Sequence, residues 1–365
     1  MKSISIAFLS VILILVIGCS NDTDNIVNEI SVPSGMYFPP LEGDSWETVT
    51  PNQLQWNVDQ EQELYDYLKS TKTKGFIILK NGRIVVERYF NGHSQNASWT
   101  WFSAAKSLTA TFVGVAQDEG LLNINNKTSD YLGANWSQLT LEKQDLITVK
   151  HHLSMTTGLT AHIGDYIPWV CTLPTCLDYT ADAGTRWAYH QGAFMLLQEI
   201  ITEASGASFQ EYCKTKVADK IGMVGNWTNS LGLNIYNSNT RSMARFGLLM
   251  HNKGVWDNNT IVSEAYFNEM TNTSQDINKS YGYLWWLNGK ESAMGTTSEV
   301  VIPGPLVSNA PNDMFAALGA NDQKIYVVPS KDLIVVRSGE SAGEIQLGLS
   351  SFDNELWAKI NAFIE

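Results

Sequence analysis

Ser103-Ala104-Ala105-Lys106 sets a hydroxyl and an amine three residues apart. On a helix that spacing puts both side chains on one face. A free serine is a weak nucleophile and needs a base beside it. Lysine is such a base only when burial or a neighbouring positive charge lowers its pKa. The two alanines leave room for a substrate at the helix start, where backbone N–H groups can stabilise a developing oxyanion. The pattern predicts attack on a carbonyl through an acyl-enzyme. The tetrapeptide alone is a weak signal, since a chain of 365 residues holds about one such match by chance.

The flanking elements must give the motif its place. It follows the aromatic run Trp99-Thr100-Trp101-Phe102 and opens a helix through Leu108, Phe112 and Val115, with Gly120 as its stop. Upstream, Gly75 to Tyr89 is two β-branched runs broken by Asn81-Gly82, a strong hairpin signal. Val149 to Met155, Gly192 to Ala204 and Ser242 to Met250 carry apolar residues at helical spacing. Strand signals return in Tyr281 to Trp286, and in Ile325 to Val328 and Leu333 to Val336 around the turn Pro329-Ser330-Lys331-Asp332. Phe352 to Ile364 reads as an amphipathic helix. This order predicts an α+β fold: an antiparallel sheet flanked by helices and built from both chain ends (about 46–120 and 280–365). A mainly helical lobe (about 121–279) is inserted between them, leaving a cleft at the junction.

A net charge of −13, with no cluster of Lys and Arg, argues against nucleic-acid binding. The twelve tryptophans suit a core or an apolar cleft, and Trp169, Trp187, Trp285 and Trp286 stay open between those roles. Lys2 followed by the apolar stretch Ile4 to Ile17 is a targeting segment too short to span a bilayer. Its end, Val16-Ile17-Gly18-Cys19, resembles a bacterial lipoprotein signal. The expectation is a signal peptide over 1–18, a lipid on Cys19, a flexible tether over 19–45 and a folded domain over 46–365. An ordinary secretory signal is the other reading. Export makes a local disulfide between Cys171 and Cys176 reasonable, two buried thiols being the alternative, while Cys213 reads as a free core cysteine. His151 and His152 point apart on a helix, so His151 is expected to cap locally, and no Cys–His spacing suggests zinc. No metal or organic cofactor is expected.

Several stretches together resemble the β-lactamase-related serine hydrolases, which include class C β-lactamases, D-aminopeptidases, family VIII esterases and 6-aminohexanoate-dimer hydrolase. They are SAAKS at Ser103, EGLLNINNKTSDYL from Glu119, HHLSMTTGL from His151 and WAYHQGAFMLLQEIITEASG from Trp187. RSMARFGLLM from Arg241, YGYLWW from Tyr281 and ALGANDQKIYVVPSKDLIVVR from Ala317 complete the set. The resemblance runs from about Lys74 to the C-terminus and implies the β-lactamase/transpeptidase fold, with Ser103 as nucleophile and Lys106 as its partner.

The resemblance implies further roles. The second motif falls on Tyr189-His190-Gln191, where Tyr189 would take a proton from Ser103 or relay one to the leaving group. Gln191 stands where asparagine is common and would contact the substrate, while His190 would either line the cleft or be an exposed helix-start residue. The third motif falls on Ala317-Leu318-Gly319-Ala320. Gly319 would let the backbone approach the substrate, and the Ala320 N–H would pair with that of Ser103 as an oxyanion hole. Class C β-lactamases have Lys-Thr-Gly there, and this chain has no Lys or His at that place. The missing cation favours an ester or amide over a β-lactam or D-Ala-D-Ala peptide, each of which carries a carboxylate. The Gly319 to Gln323 stretch is similar to the 6-aminohexanoate-dimer hydrolase type, whose substrate-contacting tyrosine matches Tyr166. Asp322 reads either as a surface turn residue or as a negative charge favouring an amine-bearing substrate. The rival functions are a β-lactamase or D,D-carboxypeptidase, which a cation arriving from elsewhere would restore, and a non-catalytic binding lipoprotein.

Overall fold

The computed structural model describes residues 34–230 and 232–365. The apolar runs around Asn81-Gly82 form strands β1 (Thr73–Lys80) and β2 (Arg83–Tyr89). Both turn residues take positive φ, 49° and 77°, as a tight hairpin that follows the strand twist requires. Gly82 has a second reason to be glycine, because a Cβ there would lie 1.9 Å from the Tyr37 carbonyl oxygen.

The chain before this hairpin corrects one expectation. From Gly35 onward the stretch expected to be tether is packed on the body. Arg83 Nη1 donates to the Gly35 carbonyl at 2.8 Å, Tyr37 N–H donates to Asn81 at 3.0 Å, and Phe38 meets the Trp256 ring edge-on at 5.1 Å. Two aromatic rings with buried partners anchor the segment, so it belongs to the folded part. The expected signal peptide and Cys19 lie outside the described residues.

Helix α1 (Glu61–Ser70) precedes β1, and α2 (Ala105–Asp118) follows β2 after the Ser103 motif. Gly120, at φ 71°, lies just past the end of α2. The middle of the chain is largely helical, with α3 (Gln191–Ser205) and α4 (Thr240–His251) its longest members. Between those two lies a hairpin, β3 (Gly225–Ser230) and β4 (Leu233–Ser238). Strands then return as β5 (Trp286–Leu287), β6 (Phe315–Gly319), β7 (Gln323–Val328) and β8 (Leu333–Gly339), and α5 (Phe352–Ile364) closes the chain. Only the last residue of the expected 281–286 strand is in the sheet. The rest bends sharply, with Leu284 at φ 58°, to put Tyr281, Tyr283 and Trp285 into the core.

The main sheet runs β2-β1-β8-β7-β6-β5, antiparallel throughout, and so joins both ends of the chain. Phe76, Ile78, Tyr326, Val328 and Val335 pack on one face with residues of α1 and α5. Ile77, Leu79, Ile325, Val327, Ile334 and Val336 pack on the other with residues of α2 and α4. Burial on both faces explains why these strands read as continuous apolar runs rather than as alternation. The fold is α+β, as the order of elements implies.

Candidate active site

The segment before Ser103 is pinned before the motif begins. Trp99–Thr100 pairs with β4, Trp101 N–H donates to the Tyr236 carbonyl at 2.9 Å, and Trp101 Nε1 donates to Ser238 Oγ at 2.6 Å. Phe102 then takes φ 48°, a left-handed conformation that is costly for an aromatic residue and recurs at functional sites. Phe102–Ala104 form a 3-10 turn, and α2 starts at Ala105. Across this junction into the helix, residues three apart lie on one face. Lys106 Nζ and Ser103 Oγ are accordingly hydrogen-bonded at 3.1 Å.

Lys106 is buried, and its Nζ lies 4.9 Å from the Tyr189 ring centre and 4.4 Å from that of Phe194. Burial pulls its pKa from 10.5 down to about 7. A neutral amine is therefore present near neutral pH and can accept the Ser103 proton. Tyr189 is buried beside it, stacked on Trp286 at 6.2 Å and close to Ser103. Burial pushes its phenol up, against a smaller opposite effect of the Ser103 hydroxyl. Tyr189 thus stays a neutral phenol, suited to passing a proton along rather than acting as a phenolate base.

Two cavities meet at Ser103. One, about 310 Å³, is lined by Tyr189, Trp286, Leu306, Ala320, Asp322 and the 341–350 segment. The other, about 300 Å³, is lined by Phe102, Lys106, Tyr166, Gln191, Phe194 and Leu233. Ser103, Trp169 and Ala320 belong to both. The sheet edge reaches the nucleophile through Gly319: a Cβ there would lie 2.3 Å from the Trp101 carbonyl oxygen and 3.0 Å from the Ala104 nitrogen. Only glycine permits this approach, which brings Ala320 alongside Ser103.

The expected site residues thus come together, with one exception. Ser103, Lys106, Tyr189, Gly319, Ala320, Tyr166 and Gln191 all line one or both cavities. Gln191 is buried at the start of α3 and lines the 300 Å³ cavity, and its Oε1 has no hydrogen-bond partner among the described residues. His190 is the correction. It lines neither cavity and is neither in the cleft nor exposed. It caps α3, Nδ1 accepting the Ala193 N–H at 3.1 Å, and burial first of all drives its pKa down to about 3. The packing of α3 decides its role.

Asp322 meets neither expectation. It is 3% exposed, pairs with Lys324 Nζ at 3.2 Å and accepts from the Ala342 and Gly343 N–H groups at 2.8 and 3.2 Å. Lys324 itself lines the 310 Å³ cavity but is held between Asp322 and Asp353, the latter at 2.7 Å. It is the cation that sequence reasoning could not see, and it is already neutralised.

Of the four tryptophans left open, Trp169 and Trp286 line the cleft, while Trp187 and Trp285 are core. Cys171 and Cys176 form a disulfide, with Cα atoms 5.9 Å apart, and Cys213 is a buried free thiol. His151 caps its helix, Nδ1 accepting the Thr148 N–H at 3.0 Å. Phe194 was missed although the sequence held a signal: it lies three residues after Gln191 and so shares its face of α3. Leu233 and the 341–350 segment carried no local signal, because only the tertiary fold brings them to Ser103. Among the described residues no group of three or more His, Cys, Asp or Glu is arranged to hold a metal.

A serine and a buried lysine at the start of a core helix, faced by a tyrosine and by a sheet-edge glycine, define the serine β-lactamase-like class of fold and site. The sequence profile of the β-lactamase family matches residues 67–344, and the chain belongs to that family. An uncharacterised protein of Alkalihalophilus pseudofirmus is 24% identical over 326 residues, which cover 79% of this chain and 88% of that one. Two solved structures share the fold at low identity. A candidate 6-aminohexanoate-dimer hydrolase from Bacillus anthracis is 18% identical with a TM-score of 0.66, covering 92% of this chain and 90% of its own. A family VIII carboxylesterase is 17% identical with a TM-score of 0.61, covering 83% and 96%. Members of the family are serine hydrolases, among them esterases, amidases and β-lactamases.

Proposed function

We propose that this protein is an exported, lipid-anchored serine hydrolase that cleaves a neutral ester or amide through an acyl-enzyme on Ser103. The observation that carries the reading is the 3.1 Å contact between Ser103 Oγ and a lysine amine held neutral by burial. Lys106 takes the Ser103 proton as the hydroxyl attacks the carbonyl. The Ser103 and Ala320 N–H groups stabilise the oxyanion. Tyr189, which lines only the 310 Å³ cavity, hands a proton to the departing atom on that side. The leaving group therefore occupies that cavity, and the acyl group occupies the one lined by Lys106, Phe194 and Leu233. Water then frees the acyl group.

The third motif supports an ester or amide over a substrate held by its carboxylate, since Lys324 is engaged by two aspartates. Export and a lipid on Cys19 rest on Val16-Ile17-Gly18-Cys19, and the Cys171–Cys176 disulfide suits an oxidising compartment. The test is turnover of p-nitrophenyl butyrate and of a chromogenic cephalosporin by protein starting after Cys19, with Ser103→Ala as control. Ester hydrolysis that the mutant abolishes, with little cephalosporin hydrolysis, is expected. Cephalosporin as the better substrate would make this a β-lactamase, and no Ser103-dependent turnover would favour a binding role.

A further inference from the structure

We propose that Asp322 is a positioning residue for the leaving-group cavity: its carboxylate holds the 341–350 wall of that cavity against the turn that carries Ala320. The wall is a small hairpin of two-residue strands, β9 (Ile345–Gln346) and β10 (Leu349–Ser350). So short a hairpin has little stability of its own. Ser341, Ile345, Gly348, Leu349 and Ser350 line the cavity together with Tyr189 and Trp286.

Asp322 ties the start of this hairpin and lies near its end. Oδ2 accepts from Ala342 N–H at 2.8 Å and from Gly343 N–H at 3.2 Å, and the nearby Ser350 hydroxyl helps to hold the carboxylate below its usual range. Oδ1 faces Lys324 Nζ at 3.2 Å. With two N–H groups on Oδ2 and the Lys324 ammonium on Oδ1, the carboxylate is already engaged at both oxygens. The other side of the tie is equally fixed. Asn321 and Asp322 both adopt left-handed backbone, at φ 56° and 57°. Arg337 Nη1 donates to both their carbonyls at 2.9 Å, and Gln323 Nε2 donates to Asn321 at 2.7 Å and to Gly339 at 2.6 Å. The turn is the rigid partner and the hairpin the dependent one. Asp322 thus acts through the hairpin on whatever leaves Ser103.

The kinetic consequence rests on the hydrolase reading above. Phenyl acetate and 2-naphthyl acetate give the same acetyl-enzyme but differ in the size of the leaving group. In Asp322→Asn, which keeps the side-chain volume and tolerates positive φ, the ratio of kcat/KM between the two esters should shift by about fivefold or more, with deacylation of the shared acetyl-enzyme changing by less than about twofold. Equal losses for both esters, or an equal loss in deacylation, would overturn the proposal by assigning Asp322 to overall stability or to the oxyanion hole. A second measurement needs no turnover. Amide exchange in the 340–352 region of the full chain should be about tenfold faster in Asp322→Asn, with β1 and β8 unchanged. Unaltered protection there refutes the positioning role. Should the wild type turn over neither ester, the hydrolase reading falls and the exchange comparison alone decides.

Discussion

Replacing Lys106 by methionine should make this protein more stable and nearly inactive, and the gain in stability should depend on pH. Burial alone lowers the lysine from 10.5 to about 7, which corresponds to a cost on the order of 5 kcal/mol at about 1.4 kcal/mol per pH unit. Below pH 7 the amine is protonated in the folded and unfolded chains alike, and the full cost applies. Between about 7 and 10.5 only the unfolded chain holds the proton, so wild-type stability rises with pH. Above 10.5 the group contributes no cost. Methionine fits among Tyr189 and Phe194 without charge and forfeits the Ser103 bond, worth about 1 kcal/mol. Lys106→Met should therefore exceed the wild type by roughly 4 kcal/mol at pH 6.5, and the gap should nearly close by about pH 9.5.

Urea unfolding followed by tryptophan fluorescence at those two pH values measures the gap. A mutant less stable than wild type at pH 6.5, or a gap that ignores pH, refutes the reasoning that Lys106 is buried without a compensating charge. The same titration must show in catalysis. Wild-type kcat/KM for an ester should rise with pH through a midpoint near 7, as the free enzyme loses the Lys106 proton. That rise should vanish in the mutant, along with about 10²–10⁴-fold of the rate.

Tyr189→Phe should lower ester kcat/KM by about 10²-fold with little change in the urea midpoint, and an unchanged rate would remove Tyr189 from the proton path. Gly319→Ala places a methyl 2.3 Å from the Trp101 carbonyl oxygen, so backbone must move. It should cost about 1–3 kcal/mol and most of the turnover, with helix content retained by circular dichroism, and wild-type rates would disprove the close approach. Reduction of the Cys171–Cys176 disulfide, or Cys171→Ser, opens a loop of only six residues and should cost about 2 kcal/mol. A proteolysis assay should then cut within 163–179 first, whereas unaltered stability and cleavage would make the disulfide dispensable.

What the sequence disclosed followed the range of each interaction. Asn81-Gly82, the α2 motif and the Phe352–Ile364 helix are local patterns, and each stands in the structure where its residues place it. Ser103 and Lys106 meet because of a spacing written in four residues. Tyr189, Gly319 and Tyr166 were legible only through resemblance, since nothing local relates a helix start, a strand end and a loop. His190 and Asp322 misled for one physical reason. A polar residue beside a site motif reads as functional or exposed, yet both are buried: Asp322 is held by Lys324 and by the Ala342 and Gly343 N–H groups, and His190 is spent on capping its own helix. The 281–286 stretch was aromatic enough for a strand, but the core takes its rings by a bend instead.

The charge around Ser103 leads to one more expectation. Near the third motif Lys324 pairs with both Asp322 and Asp353, Arg337 is buried with its guanidinium donating to main-chain carbonyls, and burial leaves Lys106 neutral above pH 7. Among the described residues the cleft therefore supplies no unbalanced cation, while the whole chain carries −13. An anionic substrate meets only the long-range repulsion of the protein, and salt screens that repulsion beyond about 8 Å at physiological strength. For a neutral ester kcat/KM should hardly change between about 20 mM and 500 mM salt, whereas for a carboxylate-bearing ester of the same acyl group it should be lower and should rise as salt is added. The contrary pattern, an anionic ester preferred and then slowed by salt, would mean that a cation reaches the substrate. Lys324 is the residue that would have to leave its aspartates to do so, and Lys324→Met would then abolish the preference.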